Sequence, residues 1–232
     1  MNSRPILFSG PMVQAILAGR KTQTRRVVKP QPDVVSKDGE AARFITIEVA
    51  RGASMVQLSG PEDKPHQKFI NRIKSPYGEA GDSLWVRETT RSYYLPHLLT
   101  GEPTTAECGQ YVADGAPVTC PNGFDLVWWY SRKSCPAIHM PRYVSRIALE
   151  VTGVRVERLH DISHEDAMAE GCPGYDWVAN SPYIVGPHTD AGELPVEEYQ
   201  RLWNHINGPG SWEANPWVWV VEFKRLEPTH AK

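Results

Sequence analysis

No apolar run in this sequence approaches the ~20 residues that a membrane-spanning helix requires. The opening residues, MNSRPILFSGP, hold only a short apolar patch and no small-residue cleavage site, so a secretory leader is not expected. These two absences predict a cytoplasmic chain with no membrane partner. Cysteine is scarce: four stand at positions 108, 120, 135 and 172, and no two form a C-x-x-C pair. Cysteines so dispersed in a cytosolic chain are expected to be free thiols. Cys108, Cys120, Cys135 and His139 make a conceivable zinc set, but their spacing matches no common finger. Neither a metal nor another cofactor is therefore expected. An excess of one charge sign is also missing, since the net charge is −2, which excludes a uniformly basic nucleic-acid-binding surface. Internal repeats are absent, and nothing in the sequence indicates the oligomeric state.

What the chain does have is a hydrophobic fraction of 41% over 232 residues, enough for one filled core with insertions or for two small domains. Pro5–Phe8 is short, apolar and β-prone, and Pro11 suits the first turn of a helix. Met12, Val13, Ile16 and Leu17 recur at helical spacing before a stop at Gly19. The following KTQTRRVV is rich in Thr and Val and predicts a strand. Further strands are predicted at Phe44–Val49, Ser83–Glu88, Arg146–Val156 and Trp217–Leu226. The last of these is apolar enough for a central strand buried on both faces. Loop chemistry is expected from Pro61 to Pro65 and a hairpin within the stretch from Thr89 to Pro141. Ser163 is an N-cap candidate with Asp166 three residues on, for a helix running through Glu170, and a second helix is predicted over Val196–Ile206. Strands with a few short helices in this order predict an α+β fold on a small curved sheet or barrel, and the pattern does not choose between the two.

Charge is uneven along the chain. Arg20, Lys21, Arg25, Arg26 and Lys29 fall close together. Such a strip can hold a phosphate or short RNA, or can be a solvated strand.

Gly19-Arg20-Lys21-Thr22-Gln23-Thr24-Arg25-Arg26 resembles the signature of the ASCH group of the PUA-like superfamily. There a glycine, a lysine two on, a variable residue three further and an arginine two further recur. The GDSLWV strand, the ISHEDAMAEG helix start and the closing VVEFKRL follow in the same order as in small bacterial ASCH proteins. Longer phage and prophage relatives are similar through YGEAGDSLWVRET, HMPR and INGPGSWEANPWVWVVEF. The resemblance implies one PUA-like domain over residues 1–232, with insertions at about 30–76, 89–141 and 172–195.

One small ASCH family is an amidohydrolase that removes the acyl group from N(4)-acetylcytidine, using a lysine, a threonine and a glutamate. The resemblance puts Lys21, Thr24 and Glu170 in those places. It implies a metal-independent hydrolase for an N(4)-acylated cytosine nucleoside.

The chemistry is sound. A threonine hydroxyl needs a base to become a nucleophile, and lysine serves only when neutral. Burial or nearby cations can favour the neutral form, and Arg20, Arg25 and Arg26 are candidates for lowering the Lys21 pKa. Arg26 can instead bind an oxyanion or a phosphate, and Glu170 can orient the lysine or protonate the leaving nitrogen. Strand alternation sets Lys21 and Thr24 on opposite faces, so cooperation requires an irregular entry to the strand. Neither side chain is expected to anchor the core. Trp85, Glu88 and His139 are weaker candidates for substrate binding. Trp85 also suits the core, Glu88 a pair with Arg87 or Arg91, and His139 with Arg142 an anchor for the insertion. The competing function is a PUA-like module that recognises RNA or a modified nucleotide, with nuclease activity in some relatives.

Overall fold

A computed structural model describes residues 2–29, 31, 74–97, 99–102, 104–172 and 194–227, together with the backbone of 44–50, 53–59, 73 and 103. In chain order the elements are β1 (Ser3–Leu7), α1 (Gly10–Leu17), β2 (Gln23–Val27), β3 (Phe44–Ala50), β4 (Ala53–Ser59), β5 (Ile73–Lys74), β6 (Ser83–Arg87), β7 (Thr90–Pro96), β8 (Pro103–Tyr111), β9 (Ser134–Cys135), β10 (Ala148–Arg158), α2 (His164–Ala169), α3 (Pro195–Asn207) and β11 (Trp217–Leu226). Strands pair into one five-stranded open sheet, β1-β6-β10-β11-β2, and two three-stranded ones, β3-β4-β5 and β8-β7-β9. The fold is therefore α+β, and no helix among the described residues is long and apolar enough to cross a membrane. The expected loop from Pro61 to Pro65 and most of the 172–195 insertion lie outside the described residues.

The chain forms two compact units, both assembled from separated stretches. The first comprises Met1–Asn2, Arg20–Ser83 and Glu150–Lys224. Here β11 lies between β10 and β2, and Val218 through Val221 are all buried, as expected for a strand covered on both faces. β2 is an edge strand, antiparallel to β11, with Thr24 opposite Val221 and Gln23 opposite Glu222. Its entry is held by two backbone bonds: Thr22 N–H donates to Ala169 O at 2.9 Å, and Phe223 N–H donates to Thr22 O at 2.8 Å. The short helix α2 starts where its sequence says it should, since Ser163 Oγ accepts the Asp166 N–H at 3.1 Å. In α3 the buried residues Tyr199, Leu202 and Trp203 repeat at helical spacing and form its inner face.

The second unit comprises Ser3–Gly19, Leu84–Leu149 and Arg225–Lys232. Helix α1 ends as read from sequence, with Gly19 at φ 73° and its N–H bonded to Ile16 O. The expected hairpin is β7 with β8, antiparallel from Thr90↔Tyr111 to Pro96↔Pro103. It packs on a cluster of Tyr111, Val118, Met140 and Val144, in which the Tyr111 hydroxyl donates to Val144 O at 2.6 Å. Trp129 covers Gly109 so closely that a Cβ there would stand 2.5 Å from the indole ring. Gly109→Ala should therefore displace a rigid ring and cost about 1–3 kcal/mol, read as a lower urea midpoint at unchanged slope.

Candidate functional site

Lys21 precedes the first residue of β2 and lies outside the strand, so strict alternation does not govern it and the irregular entry is present. Within β2, Gln23 and Arg25 share one face, and Thr24 and Arg26 share the other. The basic run is not a solvated strip. Lys21 is 2% exposed, Thr24 2% and Arg25 3%, while Arg26 is half-buried and Lys29 exposed.

Lys21 reaches Glu170, 149 residues away in sequence. Its Nζ donates to Glu170 Oε2 at 2.7 Å and to the Glu170 backbone carbonyl at 2.8 Å. Glu170 is the C-cap of α2 and is 3% exposed. Two of the three expected catalytic residues are thus in direct contact. The third, Thr24, is buried on β2, and Arg26 on its face is one of the charges acting on Lys21. Removing one member of a pair buried this way leaves the other charge without its partner, so Lys21→Ala should weaken the fold as well as the site.

Burial lowers the Lys21 pKa from its ordinary value, and the pull of Glu170 in the opposite direction does not restore it. Arg26 adds a smaller push in the lowering direction, whereas Cys172 opposes it. Of the two causes expected, burial and neighbouring cations, burial is the larger, and of the three arginines Arg26 adds to it. Arg25 is occupied elsewhere. Its Nη1 lies 3.4 Å from Glu170 Oε1, and its Nη2 lies 2.7 Å from Asp166 Oδ2 and 2.5 Å from Glu157 Oε1. Arg155 continues the network, donating to both Asp166 oxygens at 3.0 and 3.1 Å, to Glu157 Oε2 at 3.0 Å, and to Glu222. From α3, Tyr199 faces Glu170, Arg25, Cys172 and Arg26, and burial pushes its phenol well above the usual range. Burial likewise raises the Cys172 thiol, with Glu198 adding to the rise and Lys21 opposing it.

Arg25 was expected beside Lys21, though as a neighbouring cation rather than as a partner of Glu170, and Asp166, Glu157, Cys172 and Tyr199 were not expected in this cluster. A signal existed for Asp166, which stands four residues before Glu170 and so shares its helix face. Nothing in the sequence placed Tyr199 beside them.

Trp85, Glu88 and His139 belong to the second unit. Trp85 is half-buried with the Arg87 guanidinium 5.4 Å from its ring centroid. Glu88 is 1% exposed and is bound by Arg146 at 2.9 and 3.0 Å, a partner the sequence reading did not name. Burial raises the Glu88 pKa, and Arg146 opposes the rise. His139 is exposed and stacks on Tyr130 with centroids 5.9 Å apart. All four cysteines are free thiols. Among the described residues no three His, Cys, Asp or Glu side chains gather in a way that could hold a metal, and the set of Cys108, Cys120, Cys135 and His139 is no exception.

Compared with family models, curated proteins and solved structures, the chain matches none.

Proposed function

We propose that this protein is a PUA-like ASCH amidohydrolase that cleaves the acyl group from an N(4)-acylated cytosine nucleoside, with its reacting groups in the first unit. The observation that supports it is the buried contact between Lys21 and Glu170 at 2.7 Å, in a chain whose motif also places a buried Thr24 three residues on. A lysine buried this way holds its proton less firmly than a surface lysine, and a base must be able to exist without it.

In the proposed reaction Lys21, in its neutral form, takes the proton of the Thr24 hydroxyl as the oxygen bonds to the acyl carbon. Arg26 stabilises the charge that develops on the acyl oxygen. The carbon–nitrogen bond then breaks, and the leaving N(4) takes the proton held by Lys21. Water hydrolyses the Thr24 ester, giving the carboxylic acid and the free hydroxyl. Glu170 orients Lys21 throughout. Trp85, Glu88 and His139 are given no part in this scheme.

The test is incubation of the pure protein with a panel of N(4)-acylated cytosines and cytidines, followed by chromatography for the free base or nucleoside. Turnover that survives a chelator and disappears in Lys21→Ala is expected. Lack of turnover across the panel, with retention of RNA or a modified nucleotide, would move the site to the recognition-module reading.

A further inference from the structure

We propose that Arg25 is a positioning residue of this site: it fixes one carboxylate oxygen of Glu170 so that the other faces Lys21, and is itself fixed by Asp166 and Glu157. The inference rests on the amidohydrolase reading for its kinetic consequence, though not for its geometry. Arg25 has a side chain with no exposed surface. Asp166 and Glu170 lie four residues apart, on one face of α2, and Arg25 touches both, so one guanidinium ties that face of the helix to β2. Its Nε and Nη2 both donate to Glu157 Oε1, at 3.0 and 2.5 Å, on β10. The two carboxylates farther from Lys21 are gripped from outside by Arg155. Arg25 is therefore held on two elements before it meets Glu170, which preorganises the carboxylate.

The chemical consequence concerns Lys21. The charged and titratable groups that act on it include Glu170, Cys172 and Arg26, while Tyr199 of α3 faces Glu170 and Arg25, and Glu198 acts on Cys172. Glu170 gives one oxygen to Lys21 and the other to Arg25. Without Arg25 the whole carboxylate charge of Glu170 falls to Lys21. That change makes Lys21 hold its proton more tightly, which is the wrong direction for a base. A lysine at position 25 would supply the charge but not the planar fork that spans three carboxylates.

The experiment compares wild type with Arg25→Gln and Arg25→Lys. kcat/KM is followed against pH on whichever N(4)-acylated nucleoside the wild type turns over. The Lys21 Nζ is also titrated directly by 15N NMR, which needs no turnover. For Arg25→Gln the acid limb should move to higher pH by about one unit. The loss near neutrality should be roughly tenfold and should fade at high pH. Arg25→Lys should restore part of the shift. The Lys21 Nζ titration should move by the same amount. An equal loss at every pH with an unmoved Lys21 titration would overturn the proposal and leave Arg25 a structural anchor. If no acylated nucleoside is cleaved, the amidohydrolase reading fails, and the NMR titration still decides whether Arg25 governs Lys21. Should Arg25→Gln not fold, Asp166→Asn loosens one arm of the fork at a partly exposed carboxylate. It should move Lys21 in the same direction by less, and no movement would again count against the proposal.

Discussion

Lys21→Ala and Thr24→Ala should each lower kcat by roughly 10^4-fold or more, and the double variant should be little worse than either, because base and nucleophile act as one unit. Lys21→Arg should be nearly as damaging, since a guanidinium stays protonated and cannot take the Thr24 proton. The buried pair adds a second effect. Lys21→Ala leaves Glu170 inside the protein with Arg25 as its remaining charged contact, so about 3 kcal/mol of stability should go as well. Thr24→Ala removes no charge and should cost far less. Rates must therefore be measured well below each variant's melting temperature. The informative result is the contrast: Thr24→Ala folded and inactive, Lys21→Ala weakened and inactive. Retention of most of the rate by Lys21→Arg would show that lysine acts only as a cation, and would favour recognition over catalysis.

The largest stability effect should come from the second unit. Arg146 binds Glu88 through two nitrogens and Asp114 through two more contacts, and its guanidinium carbon stands 3.8 Å from the Tyr111 ring centroid. Arg146→Met removes the cation and leaves Glu88 buried. The cost at neutral pH should be about 3–5 kcal/mol, read from the urea midpoint. Its pH dependence follows from the two carboxylates. Burial already holds the Glu88 pKa up against Arg146, so loss of Arg146 raises it further. A raised folded-state pKa means that the penalty is absent below the unfolded value, grows as pH climbs from there towards the folded one, and is complete above it. Burial pushes Asp114 up, but it is depressed overall, because the hydrogen bonds and charge of Arg146, with the Ala116 N–H, outweigh that push. The stability it contributes to wild type is present above its unfolded value and is lost as pH falls. Both carboxylates make the deficit of Arg146→Met shrink on acidification. A deficit that stayed constant from neutral to acidic pH would show that Arg146 acts by packing alone. Glu88→Gln should be mild by comparison, since an amide keeps the shape without a buried charge.

The elements most legible in the sequence were those whose pattern and punctuation agreed. Trp217–Leu226 matches its expected bounds, and Val196–Ile206 falls inside Pro195–Asn207, because periodicity marks both and Pro195 marks the start of the helix. Strands β4, β5 and β9 were missed. Two of them have only two residues, too few for any periodicity to register. At the site, the sequence brought Lys21 together with Glu170 through resemblance rather than through pattern, and the contact is present. It left Arg25 open between a solvated strand and a place beside Lys21, because a run of basic residues looks the same whether solvated or buried. What distinguishes Arg25 is a carboxylate supply from β10 and α2, more than 130 residues later. Glu88 was misjudged for the same reason: its neighbours in sequence are Arg87 and Arg91, while its partner Arg146 stands 58 residues away.

Thr22 separates two properties that usually travel together. Its backbone is tied on both sides, to α2 through its N–H and to Phe223 through its carbonyl, while its side chain is exposed. Position 22 is therefore free to vary in identity yet fixed in place. Drift at this residue would alter the outer surface beside Lys21 without loosening the frame that holds it. Proline is the exception, since it would remove the N–H given to Ala169. A lineage could thus explore new chemistry one residue from a buried lysine at almost no mechanical risk.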